Sequence, residues 1–182
     1  MGVDITMTVP HNVADVSVEI VAAKFRPLGD LFDELQGRYP DSYRTWRDVS
    51  DPEYGRPYLF YAPAGFTLSF GPRLLRIHHV TRFRSFCVED DLRQLLRRFT
   101  YGVLGLMNGD RAIYSPDQGI GDQIYDLIFD GISFDDLESH LLKLGVPATS
   151  FAELEERWAP QPRYYVDRFE DFIGSARGEG DR

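Results

Sequence analysis

The sequence holds one cysteine, Cys87, and only two lysines among its 182 residues. A lone cysteine excludes an intrachain disulfide framework. It also excludes a thiolate-based structural zinc site built within one chain. No apolar run reaches the roughly 18 residues of a membrane span, and no secretory signal pattern is visible. The expectation is a cytoplasmic protein with no membrane contact. Gly-x-x-x-x-Gly-Lys, Gly-x-Gly-x-x-Gly, Gly-x-Ser-x-Gly and His-Glu-x-x-His are all missing. The chain therefore lacks the signatures of phosphate-loop, dinucleotide, serine-hydrolase and zincin chemistry. There is no internal repeat.

What is present describes a folded, acidic protein. Hydrophobic residues make up 43% and aromatic residues 14%, enough to build a core. Residues 1–173 read as a single domain, and the Gly- and charge-rich residues 174–182 as a frayed tail. The net charge of −9 argues against nucleic acid as a partner, because phosphate neutralisation dominates such binding. It suits a basic protein partner. The charge is unevenly spread. Residues 73–109 carry a net +4, residues 1–72 a net −4, and residues 110–182 a net −9.

That basic stretch organises the chain. From Leu75 to Cys87 one alternating set is Leu75, Ile77, His79, Thr81, Phe83, Ser85 and Cys87, and the other is Arg76, His78, Val80, Arg82, Arg84 and Phe86. The alternation predicts one strand with an apolar face and an arginine-rich face. Glu89, Asp90 and Asp91 then suit the positive end of a helix dipole. Leu92, Leu95, Leu96, Phe99, Val103, Leu106 and Met107 share one side of that helix, opposite Arg93, Gln94, Arg97, Arg98 and Tyr101. Asn108-Gly109 ends it.

Elsewhere the patterns alternate between the two periods. Residues 3–9 and 16–25 predict two strands, joined closely enough to pair as a hairpin. A helix follows Pro27, then a long loop over 40–56 containing Trp46. Strands over 57–62 and 66–70 lead by short turns into the central strand, which makes a meander. A short strand over 111–115 precedes a segment, 122–130, that suits helix better than strand. Ser133 and Ser150 begin two further helices as N-caps, and Tyr164–Phe169 predicts a last strand. The fold class is α+β: an antiparallel sheet of about five or six strands with helices packed mainly on one face.

Candidate functional residues fall in two groups. Arg76, His78, Arg82 and Arg84 line one face of the central strand, where guanidinium forks can bind an anion such as a nucleotide or phosphorylated metabolite. The neighbouring cations are expected to hold His78 neutral. His78 and His79 point to opposite faces, so they cannot share one metal ion. His79, on the apolar face, reads as a core histidine, and Cys87 as an inert buried thiol. The second group is Asp117, Asp122, Asp126 and Asp130. The last three form a stripe at four-residue spacing whose mutual repulsion calls for a cation, whether an ion, an arginine of the central stretch or a basic partner. Trp46 adds a candidate contact residue in the long loop. No cofactor or metal site is expected. The preferred function is a non-enzymatic protein-interaction domain that binds a basic partner. The composition is analogous to acidic inhibitors of the immunity-protein type. The alternative is the anion site on the Arg/His face.

Overall fold

The computed structural model describes residues 2–54, 58–158 and 160–172. Its elements in order are β1 (Asp4–Pro10), α1 (Val18–Phe25), α2 (Gly29–Arg38), β2 (Arg47–Asp48), β3 (Leu59–Ala62), β4 (Phe66–Phe70), β5 (Leu74–Arg82), α3 (Phe83–Val88), α4 (Asp90–Met107), β6 (Ala112–Pro116), α5 (Ile120–Phe129), α6 (Phe134–Leu144), α7 (Phe151–Glu156) and β7 (Tyr165–Asp167). The strands form one antiparallel sheet in the order β2-β3-β4-β5-β1-β6-β7. The fold is α+β, with seven strands rather than five or six. The meander β3-β4-β5 forms as its turns predict. The expected tail, 174–182, lies outside the described residues, as do parts of the long loop and of the strand expected from Pro57.

Strand alternation divides the interior into two layers. Ile5, Met7 and Val9 of β1, Leu75 and Ile77 of β5, and Tyr114 of β6 face the larger core, which is completed by α1, α2, α3, α4 and α7. The opposite parity of the same strands turns Leu74 and Ile113 toward Ile120, Ile124 and Ile128 of α5 and Leu137 and Leu141 of α6. Five helices therefore cover one face, and two cover part of the other.

Two strand expectations give way to helix. Residues 16–25 alternate in sequence, yet Val18–Phe25 is α1. Ser17 caps it by accepting the Ile20 N–H at 3.4 Å, and Val21 and Phe25, four residues apart, are its buried pair. No β1–α1 hairpin exists; β1 instead lies between β5 and β6. The central strand ends at Arg82, five residues before Cys87. Continued alternation would have turned Phe86 onto the arginine face. In α3 it joins Phe83 and Cys87 on one buried side, which removes that exposure.

Glycine fixes how α5 sits on the sheet. A Cβ at Gly71, between β4 and β5, would stand 2.0 Å from the Ile128 carbonyl oxygen. A Cβ at Gly121 would stand 2.0 Å from the Pro116 oxygen at the end of β6. Both ends of α5 thus approach other backbone more closely than any other residue type allows. Gly71→Ala and Gly121→Ala are each expected to destabilise the protein by about 1–3 kcal/mol, the usual cost of overpacking. Urea unfolding checks this, and a loss below about 0.5 kcal/mol would mean that α5 shifts at little cost.

Candidate functional site

Beside Leu74 and Ile113, the sheet face under α5 carries a polar patch. Thr6 of β1 pairs with His78 of β5 on one side and Ser115 of β6 on the other, and Thr8 pairs with Arg76. The Thr6 hydroxyl donates to the Ser115 carbonyl at 3.0 Å and lies 2.8 Å from the Ser115 hydroxyl. Thr6, Thr8 and Ser115 are buried. Thr8 Oγ1 and Arg76 Nε are both out of contact with solvent and have no hydrogen-bond partner among the described residues. The Arg76 guanidinium instead stacks over the Tyr125 ring of α5, 5.2 Å from its centroid. Burial lowers its pKa, opposed by the charges of Asp117 and Asp122.

At the open end of this face three side chains meet. Asp4 begins β1, Asp117 follows β6, and the two strands are tied there by reciprocal bonds. The Asp117 N–H donates to the Asp4 carbonyl at 2.9 Å, and the Asp4 N–H donates to Asp117 Oδ1 at 3.0 Å. Arg82 donates to Asp4 Oδ1 at 2.7 Å. Each carboxylate thus spends Oδ1 on a structural bond. Both Oδ2 atoms face His78 Nε2, at 3.6 Å from Asp4 and 3.8 Å from Asp117. These distances are too long for hydrogen bonds. All three side chains are half-buried. Burial raises the Asp4 pKa, and the Asp117 charge adds to this against the pull of Arg82 and His78. His78 is held below its ordinary value, first by burial and then by Arg76. Burial thus exceeds the neighbouring cations as the cause, and Arg76 is the arginine that acts.

Of the four residues expected on one arginine face, Arg76, His78 and Arg82 stay on β5, but each turns to a different contact, and Arg84 leaves the face. Arg76 lies under Tyr125, and Arg82 turns to Asp4. Arg84 is carried away on α3, where it is exposed and pairs with Glu155 at 3.4 Å. The acidic group also divides. Asp117 joins His78 and Asp4, while Asp122, Asp126 and Asp130 form an exposed stripe along α5. The Asp122 carboxylate accepts the Gly119 N–H at 2.9 Å, which caps the helix. Trp46 is half-buried and packs edge-on against Phe25 and Phe32, on the wall of a cleft of about 600 Å³ between α1 and α2. His79 is fully buried, and burial pushes the Cys87 thiol up to about 12. Among the described residues no helix is long and apolar enough to cross a membrane.

Asp4 is the site residue that sequence reasoning misses. It has the same strand parity as Thr6, but only the pairing of β1 with β5 and β6 brings it to His78 and Asp117. No protein-family model matches the chain, and no curated protein or solved structure matches it.

Proposed function

We propose that this chain is a protein-interaction domain whose acidic α5 face docks a basic partner. The observation that carries this reading is an asymmetry in how charge is used. Apart from the exposed Arg73, the arginines of the basic stretch are engaged internally: Arg76 with the Tyr125 ring, Arg82 with Asp4, Arg84 with Glu155, Arg93 with Asp90, Arg97 with Asp167, and Arg98 with Glu34. Along α5, Asp126 and Asp130 are exposed and have no ion-pair partner among the described residues. Apart from the cap that Asp122 supplies, the stripe gains nothing within its own helix, and repulsion at four-residue spacing weakens it. The same stripe steers and orients a cationic surface. Backbone contact at both ends of α5 holds the stripe rigidly, so little ordering cost falls on binding.

The test is affinity purification at low salt from the source cell with the wild-type chain and with Asp122→Asn, Asp126→Asn and Asp130→Asn combined. Asparagine keeps the cap at Gly119. A basic protein recovered with the wild type should be lost with the triple variant, and its binding should weaken at least tenfold as salt rises to about 0.5 M. Recovery of the same proteins by both chains, or of none, would discard the reading.

A further inference from the structure

The geometry points to a site for one first-row divalent cation, such as Zn²⁺ or Mn²⁺, formed by Asp4, His78 and Asp117. The inference is independent of the α5 docking face. It rests on three features of the cluster.

First, the donor atoms converge without bonding each other. One ligand atom from each residue lies within 4.8 Å of the other two. His78 Nε2 lies 3.6 and 3.8 Å from the two Oδ2 atoms, spacings that a divalent ion bound at about 2.0–2.2 Å by nitrogen and oxygen ligands can bridge. Second, the ligands are already oriented. Asp4 Oδ1 is held by Arg82 and Asp117 Oδ1 by the Asp4 N–H, so each Oδ2 is left turned to His78 Nε2. Outer bonds of this kind aim carboxylates at a metal. Third, two carboxylates stand opposite each other at the β1–β6 junction, an arrangement that repels unless a cation lies between them. Arg82 answers only part of that charge. Its side chain is 59% exposed, so solvent screens it, and it touches the far oxygen of Asp4 alone.

The donor set selects the metal class. One imidazole nitrogen with two carboxylates suits Zn²⁺ or Mn²⁺ better than Ca²⁺ or Mg²⁺, which favour oxygen throughout. Three protein ligands at a half-buried position leave room for water or a substrate oxygen to complete the shell. His78 and Asp4 lie on the adjacent strands β5 and β1, and Asp117 directly follows β6, where two hydrogen bonds to the Asp4 backbone fix it, so the site is anchored on the sheet.

The test is titration of chelator-treated, full-length protein with Zn²⁺ and Mn²⁺, with Mg²⁺ and Ca²⁺ as comparators, read by calorimetry and thermal unfolding. The expected result is one equivalent bound with a raised unfolding midpoint, and at least a tenfold loss of affinity in His78→Ala and Asp117→Asn. Should either variant fail to fold, nuclear magnetic resonance of the wild type with substoichiometric Mn²⁺ decides. Broadening centred on His78, Asp4 and Asp117 supports the site. Broadening centred on the α5 aspartates, unchanged affinity in folded variants, or no binding by the folded wild type overturns it.

Discussion

Replacing Arg97 by methionine is expected to cost about 3–5 kcal/mol, the effect of stripping one partner from a buried ion pair. For a chain of this size that lowers the unfolding midpoint by roughly 10 °C or more. Arg97 leaves α4 and enters the core edge at β7. Its Nε donates to Asp167 Oδ2 at 2.7 Å, and its terminal nitrogens reach Asp171 at 2.7 and 2.8 Å. The side chains of Arg97 and Asp167 are 7% and 3% exposed. The guanidinium also lies 5.0 Å from the Phe172 ring centroid and 5.5 Å from that of Phe169. Methionine fills similar volume but leaves the Asp167 carboxylate without a cation in a dry place. Adding Asp167→Asn to the methionine variant should therefore recover part of the loss. Arg97→Lys should fall between, because an ammonium group cannot fork to two carboxylates. Urea unfolding of the three variants measures this. A loss below about 1 kcal/mol in Arg97→Met would mean that Asp167 is solvated and the pair contributes as little as a surface bridge.

Arg97 also shows where sequence reading stops. On the α4 helical wheel it falls on the polar side, and nothing local says that β7 will bring Asp167 against it some seventy residues later. The elements with strong periodicity were legible: α4 from its leucine arc, the meander from its short turns, and α5 from the separation of Ile124 and Ile128 from the aspartates. Elements whose two periods coincide were not. In α1 the residues Val18, Ile20 and Ala22 alternate as a strand would, and the deciding signals are the Ser17 cap and the pair Val21 and Phe25. At the end of β5 the alternation continues through Phe83, and only Phe86 breaks it. The candidate site was half legible. His78 and Asp117 stood out as residue types in place. Their meeting with Asp4 depends on β1 inserting between β5 and β6, a non-local pairing that no window of the sequence encodes.

Lowering the pH from 6.5 to 5 is expected to cost about 1.6 kcal/mol of stability through His79 alone, since the unfolded chain's excess of bound protons rises across that window from about half to nearly one, at about 1.4 kcal/mol per proton per pH unit. The ring is fully buried, with the Phe66 ring of β4 at 4.3 Å and the Tyr39 ring after α2 at 4.9 Å. Its Nε2 faces the Ala64 carbonyl at 2.9 Å, so Nε2 carries the proton and donates. Its Nδ1 must then accept, and it does so from the Thr81 N–H at 3.1 Å and the Thr81 hydroxyl at 2.7 Å. Tyr39 completes the set, with its hydroxyl 2.6 Å from Thr81 Oγ1. A second proton on Nδ1 would oppose the Thr81 N–H and would require the Thr81 hydroxyl to turn from donor to acceptor. Burial, the largest cause, together with the neighbouring His78 and against the hydrogen bond to Ala64, brings the His79 pKa down from 6.5 to about 3. The folded value lies below the unfolded one, so the unfolded chain takes up the proton first. Stability is therefore complete above pH 6.5 and is lost as pH falls toward 3. His11 and His78 are lowered by burial too and add to the slope in the same direction. His79→Gln isolates its own share: whatever its absolute stability, its urea-derived free energy should fall by about 1.6 kcal/mol less than the wild type between pH 6.5 and 5. If that variant does not fold, the wild-type imidazole resonance of His79 should hold its position down to pH 5. Equal slopes, or a His79 resonance that titrates near 6.5, would show that the ring reaches water and that the Thr81–Ala64 clamp opens in the folded protein.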